Sequence, residues 1–551
     1  MNHSTISMHH AEHMVELPQP ISSKKTQSRL KTGLNSLFLS TLFVLPCAAH
    51  AAVYMCSING VRSYGDACYS VPKILVHTQS TAPISPTPVT TTTTPIPTTT
   101  ATPSASAPTS NANAHFVSTN GNDSNPGTIA LPWRSIHYSV QQLRAGDTLY
   151  ARGGVYAETV IVGHSGTASS PITITAYPGE TPIIDGAGLT LRPWSALLSL
   201  QGNYIIASGF ELRNINMNGL TEGGYGADLS GIHDTVEHMN VHHTWSQGII
   251  AHGDNDIIQT STISYVSMLN CRTCAVHGQF AGSPSCVSAA KPYGSGTIVH
   301  NAVIQNNTVY NCWGEGISTW LADGTVIQDN ISYDNFSVNL YVNNARNVVV
   351  QRNLVYNSPN NPNHYANVQH GAFTLADEVI PSNDLIHSSS NNSVVNNMIY
   401  NAEFCMFCWT SVANTGLRNV LIANNTIVGN FSTADLQTSS GRVVNNSSLI
   451  FNNIVTGNVF IPSSTGLNIS HNLWGTTPQM SIQGTGNMVR APLLAGTTAG
   501  RIPSHGQLTA DYFRVLSSSP ALRAGTAVSS VTTDFFMTPR SPTPSIGATE
   551  L

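Results

Sequence analysis

The feature that most constrains this chain is a 23-residue repeat near its centre. The segments VIQNNTVYN, VIQDNISYD and VVQRNLVYN place Asn307, Asn330 and Asn353 at equal steps of 23 residues. A tyrosine three positions after each asparagine keeps the same spacing. Looser copies follow around Asn397, Asn425, Asn453 and Asn472. Because one coil of this length cannot enclose a core, we expect successive coils to stack on one another.

Each copy has branched apolar residues on one side of a short strand and an asparagine at a bend. This alternation and the density of Asn and Gly exclude an α-helical repeat. Stacking at about 4.8 Å pairs each strand with the strand of the next coil and places like residues over like. We therefore predict an all-β fold, a right-handed parallel β-helix or solenoid running from about residue 140 to about residue 480. The asparagines should form a hydrogen-bonded ladder along it.

A second strand of each coil aligns by the same step, with residues 314–320 next to residues 337–343. This register places Ile317 and Leu340 inside the solenoid, and alternate residues on its outer surface. The predicted outward residues are Ser318, Trp320, Tyr341 and Asn343.

The chain divides into four parts by composition. We predict a signal peptide at 1–51, a small two-cysteine module at 52–77, a Pro/Thr/Ser-rich linker at 78–114 and the β-helix domain at 115–551. The apolar run of the signal is too short to span a bilayer, so we expect an exported protein, either secreted or periplasmic and cell-surface, without a transmembrane segment. In the small module, Cys56 and Cys68 are placed to form a disulfide across a hairpin with an Asn-Gly turn. It resembles a module of unknown function at the N-termini of proteobacterial exported proteins.

Near the start of the main domain, residues 134–143 place Ile136, Val140 and Leu143 on one helical face. Such a helix is expected to cap the open apolar end of the solenoid.

Charge and cysteine content restrict the partners. Removing residues 1–51 takes away four basic and two acidic residues, which changes the net charge from −5 to about −7. No basic stripe remains, so nucleic acid and anionic membranes are poor partners. The eight cysteines after residue 51 predict disulfides in an exported chain. The two Cys-x-x-Cys pairs, at 271–274 and 405–408, leave zinc as the alternative.

The opening segment FVSTNGNDSNPGT…PWRSIHYSV…LRAGDTLYARGGVY resembles that of exported right-handed parallel β-helix proteins, which include the family-9 pectate lyases. The ending SSSPALRAG…PSIGATE is similar to their C-terminal segment. The resemblance implies a polysaccharide-processing protein. The G-H-G element of hydrolases with this fold and the D-F-x-F-G element of pectin methylesterases are both absent, and the Asp-rich calcium site of the family-9 lyases has no clean match. This leaves a lyase or epimerase-like activity.

Elimination on a uronic acid sugar requires a neutralised carboxylate, a base for the C5 proton and assistance to the leaving oxygen. Lys291, the only lysine of the main domain, is the first candidate base, in the long loop 271–296 that cysteines can stiffen. We expect this loop to bring Lys291 or His277 to a surface formed by Glu315 and Tyr341. Glu315 lies between two glycines and is a candidate catalytic acid or base.

Four further residues are candidates on this surface. Trp320, Asn339 and Asn343 are predicted to bind substrate, and Arg346 is predicted to pair with a substrate carboxylate. Asp254 and Asp256, which follow His252, have the spacing of a loop that binds Ca²⁺. Turn formation and exposure to solvent also explain these candidate residues, without a role in binding or catalysis.

Two functions follow from these features. The first is a lyase that cleaves a uronic-acid-containing polysaccharide by β-elimination, acting as a monomer and with Ca²⁺ as its cofactor. The second is a non-catalytic glycan-binding or adhesive solenoid on the cell surface. A cleft with convergent polar groups near Glu315, Tyr341 and Lys291 would favour the enzyme, and a flat face would favour binding.

Overall fold

The computed structural model describes two short strands near the N-terminus and most of the main domain. The described residues are 54–58, 61–65, 113–192, 194–215, 224–267, 284–291, 296–359, 371–378, 389–401, 403–406, 416–433, 444–478, 484–504 and 506–551. The chain forms two compact units, Met1–Ile74 and Leu75–Leu551. In the first, Tyr54–Ile58 and Val61–Gly65 pair as an antiparallel hairpin. Cys68, the predicted partner of Cys56, lies outside the described residues.

Three parallel sheets lie between Ala114 and Val489 in the second unit, and most coils contribute one strand to each sheet in turn. Sheet 1 comprises Ala114–Val117, Thr148–Ala151, Ile172–Ala176, Ile205–Ser208, Thr235–Glu237, Ile257–Gln259, Val303–Gln305, Val326–Gln328, Val349–Gln351, Ser393–Val395, Leu421–Ala423, Ser448–Phe451 and Leu467–Ser470. Sheet 2 comprises Gly154–Tyr156, Pro182–Asp185, Glu211–Arg213, Asn240–His242, Thr262–Ser264, Thr308–Tyr310, Ile331–Tyr333, Leu354–Tyr356, Met398–Tyr400, Thr426–Val428, Ile454–Val455, Leu473–Trp474 and Met488–Val489.

Sheet 3 comprises Val160–Val162, Ala196–Leu200, Tyr225–Leu229, Ile249–Ala251, Val287–Ala290, Ile317–Trp320, Val338–Asn343, Gly371–Ala376, Glu403–Met406, Phe431–Ser432 and Val459–Phe460. A short additional pair joins Val299–His300 to Ala322–Asp323. The described helices are Ile136–Val140, Ala495–Thr498 and the 3₁₀ turn Ala510–Phe513. None of these is long and apolar enough to cross a membrane. The predicted solenoid of stacked short strands is therefore confirmed.

The bend between sheets 1 and 2 has the same conformation in coil after coil. Asn306, Asp329 and Arg352 adopt left-handed backbone angles, with φ of 57°, 57° and 52°. The next residue in each coil is the repeat asparagine, so the first residue of the pair turns the chain and the second points inward. Asn and Asp tolerate the left-handed region better than other non-glycine residues, which explains their abundance at these bends.

The repeat asparagines form the predicted ladder. The Nδ2 group of Asn307 donates to Oδ1 of Asn330 at 3.1 Å, and Nδ2 of Asn330 donates to Oδ1 of Asn353 at 3.0 Å. The series continues through Asn397, Asn425, Asn453, Asn472 and Asn487. Each side chain also binds backbone groups, as Asn353 does with the carbonyl of Ile327 at 3.0 Å. The ladder thus supplies hydrogen-bond partners to backbone that the bend would leave unpaired inside the solenoid.

The core is a column of like residues. Ile317 pairs with Leu340 as predicted, and both are buried in one continuous apolar cluster. The capping helix buries Ile136 and Val140 at the N-terminal end, and Leu143, just after the helix, is buried with them, also as predicted. Cys286 and Cys312, in neighbouring coils, are joined by a disulfide.

Just before the strands of sheet 1, the side chains of buried aspartates bond to the backbone of the preceding coil. Oδ1 of Asp256 accepts the N–H of Asp234 at 2.9 Å, and Oδ1 of Asp234 accepts the N–H of Ile205 at 2.8 Å. Asn392 occupies the same position in a later coil. Burial, the largest influence, raises the pKa of Asp234 and of Asp256 to about 8, so both are protonated at neutral pH.

Removing one member of the ladder should destabilise the domain. Asn353→Ala leaves several buried backbone groups without partners, and we expect the free energy of unfolding to fall by about 2–4 kcal/mol. The control is Asn120→Ala, because Asn120 is exposed and should change stability by less than about 0.5 kcal/mol. Chemical denaturation of both variants measures the difference, and equal stabilities would contradict the structural role of the ladder.

The buried aspartates predict that stability falls with rising pH. The unfolded carboxyl ionises near pH 4 and the folded one near pH 8, so protonation favours the folded state and this contribution is lost as pH rises across that window. In Asp234→Asn the melting temperature should fall less between about pH 5 and pH 8 than in the unmodified protein. Asp511→Asn, at an exposed carboxyl, should keep the original pH dependence. Parallel curves for all three proteins would overturn this prediction.

Candidate functional site

Most candidate residues lie on or beside the outer face of sheet 3, in two separate groups. The first, which we call the lysine cluster, consists of Lys291, Asp254 and His300. The second, the glutamate cluster, consists of Glu315, Tyr341, Glu378, Ser285 and Ser318.

The lysine cluster forms where strands of sheet 3 end. Lys291 follows Val287–Ala290, and its Nζ lies 3.6 Å from Oδ1 of Asp254. Oδ2 of the same carboxylate lies 3.1 Å from Nδ1 of His300, and Oδ1 also accepts the His300 backbone N–H at 3.0 Å. The lysine side chain is 20% exposed. The carboxylate thereby holds an amine and an imidazole next to each other at the surface.

A second histidine–aspartate pair lies in the adjacent coil. Nδ1 of His252 lies 2.8 Å from Oδ1 of Asp228, and Oδ2 of Asp228 accepts the hydroxyl of Ser230 at 2.6 Å. A proton on Nδ1 therefore binds the carboxylate, which leaves Nε2 as the other hydrogen-bonding position of the ring. Ala251, just before His252, pairs with Ala289, so this dyad and Lys291 lie at the same end of sheet 3.

The predicted calcium ligands do not converge. Asp254 binds Lys291 and His300, whereas the carboxyl of Asp256 is buried against the backbone N–H groups of Asp234 and Gly253. A protonated, buried Asp256 is a poor ligand for a hard cation, which requires several charged oxygens. Among the described residues, no group of three or more His, Cys, Asp or Glu side chains is arranged to hold a metal ion. These donors therefore do not fit Ca²⁺.

The glutamate cluster is built around hydroxyl–carboxylate contacts. The Ser285 hydroxyl donates to Oε2 of Glu315 at 2.7 Å and lies 2.6 Å from the hydroxyl of Ser318. Tyr341, which pairs with Ser318 in the sheet, donates its phenol to Oε1 of Glu378 at 2.6 Å. Two carboxyl groups are thus anchored on one patch of the outer face.

Burial dominates the electrostatics of this cluster. It raises the pKa of Glu315 to about 7, and the nearby Glu378 carboxylate adds to the shift. Burial and then Glu378 raise the pKa of Tyr341 far above its usual value, so the phenol stays a donor. Glu315 nevertheless keeps partial contact with solvent. At neutral pH, Glu315 therefore exchanges between its protonated and ionised forms, a property shared by catalytic acids and bases.

The structure gives Glu315 an outward direction. It aligns with Val338, which packs with Tyr341 and Ala376 in an outer apolar cluster instead of the main core. The flanking Gly316 is required by packing, since a Cβ there would lie 2.5 Å from the carbonyl oxygen of Asn339. Packing of the backbone therefore accounts for this glycine without a ligand.

Glu315 and Lys291 are separated along the strand direction. Glu315 contacts Ser285, before the start of Val287–Ala290, whereas Lys291 follows its end. At roughly 3.3 Å per residue, they are on the order of 15–20 Å apart. Lys291 therefore does not lie beside Glu315. Tyr341 lies between them along the strand direction, because it pairs with Ser318, which in turn pairs with Ser288. His277 lies outside the described residues.

The other candidates have varied surroundings. Arg346 pairs with Asp323 at 2.8 Å, so a carboxylate of the protein already occupies its guanidinium. Asn339 is fully buried, donates to Oδ1 of Asn357 and accepts from Asn335, which makes it part of a turn instead of a sugar-binding surface. Trp320 and Asn343 pair on the outer face, Trp320 being half-buried and Asn343 buried.

Several residues of the clusters were missed by the sequence analysis. Glu378 was missed because the coil from Tyr341 to its partner Thr374 takes 33 residues, so the 23-residue step no longer identifies neighbours. Asp228 could have been found by aligning the coils. It lies in the strand Tyr225–Leu229, which pairs with Ile249–Ala251, and His252 directly follows that second strand.

Comparison with known proteins supports the fold and the general class. Residues 115–345 match the family model described as the Pel9A-like right-handed β-helix region. This match covers every described residue of the lysine cluster and its histidine–aspartate dyad. It excludes Glu378, which lies beyond residue 345.

Two curated relatives are pectate lyases. The chain is 29% identical over 215 residues to pectate lyase PEL9 of Emericella nidulans, a match that covers 38% of this chain and 49% of that protein. It is 30% identical over 138 residues to pectate lyase L of Paenibacillus polymyxa, covering 24% of this chain and 29% of that protein. The chain thus matches less than half the length of each of these relatives.

A solved structure of XylC in complex with xylose has the same fold, with a TM-score of 0.52 at 12% identity, over 80% of this chain and 98% of that one. The main domain is thus a right-handed parallel β-helix, and residues 115–345 resemble in sequence those of polysaccharide lyases.

Proposed function

We propose that this chain is a polysaccharide lyase that cleaves a uronic-acid-containing glycan by β-elimination, with the lysine cluster as its reaction centre. The observation that carries the proposal is the placement of Lys291. The main domain's only lysine lies on the substrate-accessible side of sheet 3, positioned by Asp254 and beside His300. The family model and the pectate lyase relatives support the same class of reaction.

Lys291 is the base: once its ammonium group has given up a proton to solvent, the amine removes the C5 proton of the uronate. The electron pair left on C5 forms the C4–C5 double bond as the C4–O bond breaks, and the leaving oxygen takes a proton. Asp254 orients the amine before the reaction, since it holds Nζ from one side. His300 is bound to the same carboxylate. When its imidazole is protonated, it places a further hydrogen-bond donor near the negative charge that develops on the substrate.

The His252–Asp228 dyad is suited to the second half of the reaction. Asp228 fixes the ring through Nδ1, and a protonated Nε2 can donate a proton to the leaving oxygen. The dyad lies in the coil next to Lys291, so one sugar linkage can lie between the base and the acid. No step is derived through calcium, because Asp254 and Asp256, the predicted ligands, do not fit that ion.

The proposal includes the setting of the reaction. A polysaccharide is the partner, and export to the periplasm, cell surface or medium gives the chain access to it. The signal peptide at 1–51 and the monomeric state belong to this proposal. Glycan binding without cleavage, the alternative function, is one outcome of the experiment below.

The central prediction is that Lys291→Ala lowers turnover by at least about a hundredfold, because it removes the base. The measurement is the ultraviolet absorbance of unsaturated products from a panel of uronate polymers, with and without calcium. Lys73→Ala is the matched control, since Lys73 lies outside the main domain and should not affect the rate.

Thermal melting of each variant verifies that the fold is intact. Full activity of a folded Lys291→Ala variant would rule out the lysine as the base. If the unmodified protein binds uronate polymers but releases no unsaturated product from any of them, the chain is a glycan-binding solenoid instead.

A further inference from the structure

We propose that the glutamate cluster is a separate subsite that binds an uncharged sugar residue, so that the glycan this protein recognises contains both uronate and neutral sugars. This inference rests on the proposed function for the uronate part of the glycan. It concerns residues on the outer face of sheet 3, from Glu315, which precedes the strand Ile317–Trp320, towards Trp320, which pairs with Ala290 next to Lys291.

The charge of the cluster argues against a uronate at this position. Glu315 and Glu378 lie on one patch, and neither has a cationic partner among the residues that the structure describes. A sugar carboxylate placed here would meet two acidic groups in a region of low dielectric, where like charges repel strongly. A neutral sugar avoids this repulsion and offers several hydroxyl donors to the carboxylates, which are strong acceptors.

Two buried polar atoms beside the cluster are the independent sign of a ligand. Oγ1 of Thr374 and Oδ1 of Asn343 have no hydrogen-bond partner, and the two residues are 0% and 4% exposed. Thr374 pairs directly with Tyr341 on the outer face, and Asn343 lies two residues further along that strand. Leaving such groups unpaired costs about 1–3 kcal/mol each. A hydroxyl-rich ligand would satisfy both atoms.

The neighbouring side chains suit a sugar ring. Trp320 pairs with Asn343 across the sheet and places a half-buried aromatic ring on the same face. Sugars present apolar C–H faces to aromatic rings and hydroxyl edges to polar groups. Trp320 also pairs with Ala290, the residue before Lys291, so this ring lies between the glutamate cluster and the lysine cluster.

Direct binding measured by calorimetry tests the subsite independently of catalysis. The protein carries Lys291→Ala to prevent cleavage, and the probes are a galacturonate oligosaccharide and an oligosaccharide alternating galacturonate with rhamnose. We expect tighter binding of the alternating probe. Adding Glu315→Gln and Glu378→Gln should change the ratio of the two dissociation constants at least about tenfold, towards the galacturonate probe.

The matched control is Glu237→Gln in the same background, because Glu237 lies on sheet 1 and bonds Gln259. It should leave the ratio unchanged. If the double variant does not fold, Glu378→Gln alone, at a partly exposed residue, should shift the ratio in the same direction.

An unchanged ratio in the folded double variant would overturn the subsite. Saturable binding of Ca²⁺ alone that depends on Glu315 and Glu378 would also overturn it, in favour of a cation site. Failure of the lyase proposal would show differently, as the absence of unsaturated products from the unmodified protein. The ratio of the two dissociation constants could still be measured in that case.

Discussion

The hydrogen bond between an asparagine and the asparagine of the next coil is the interaction on which this structure depends. A β-helix turns its backbone sharply between sheets, and the inner side of each turn would otherwise bury unpaired amide groups. The ladder through Asn307, Asn330 and Asn353 solves this problem with the same side chain in each coil from Asn307 to Asn487, whereas Ser261 takes this position in the coil before. It also fixes the register, since a shift by one residue would place these amides against apolar neighbours.

Because the inner positions fix the register, the outer positions are free to vary. Ile317 and Leu340 stack in the core, while their neighbours Ser318 and Tyr341 pair on the outer face. The core therefore defines where each outer side chain lies, and substitutions on the outer face change chemistry with little cost to the fold. This separation explains how one sheet carries a basic cluster around Lys291 and an acidic cluster around Glu315.

The sequence predicted the solenoid well because its signal repeats. The 23-residue step gave the register between Ile317 and Leu340, and the apolar face of residues 134–143 gave the capping helix. The site was harder to predict because it depends on coils of unequal length. Thr374 and Glu378 follow a longer coil, so their closeness to Tyr341 has no counterpart in the spacing. Lys291 and Glu315 are close in sequence, yet the straight strand between them keeps them apart.

The outer face shows which polar residues the fold itself requires. Asn339 is buried, but its contacts with Asn335 and Asn357 belong to the turn, so its polarity is explained by the solenoid. Thr374 has no such explanation, since its buried hydroxyl lacks a partner. This costly burial is one of the observations on which the proposed sugar subsite rests. The lysine cluster differs, because its charges are paired and partly exposed, as a reaction centre open to substrate requires.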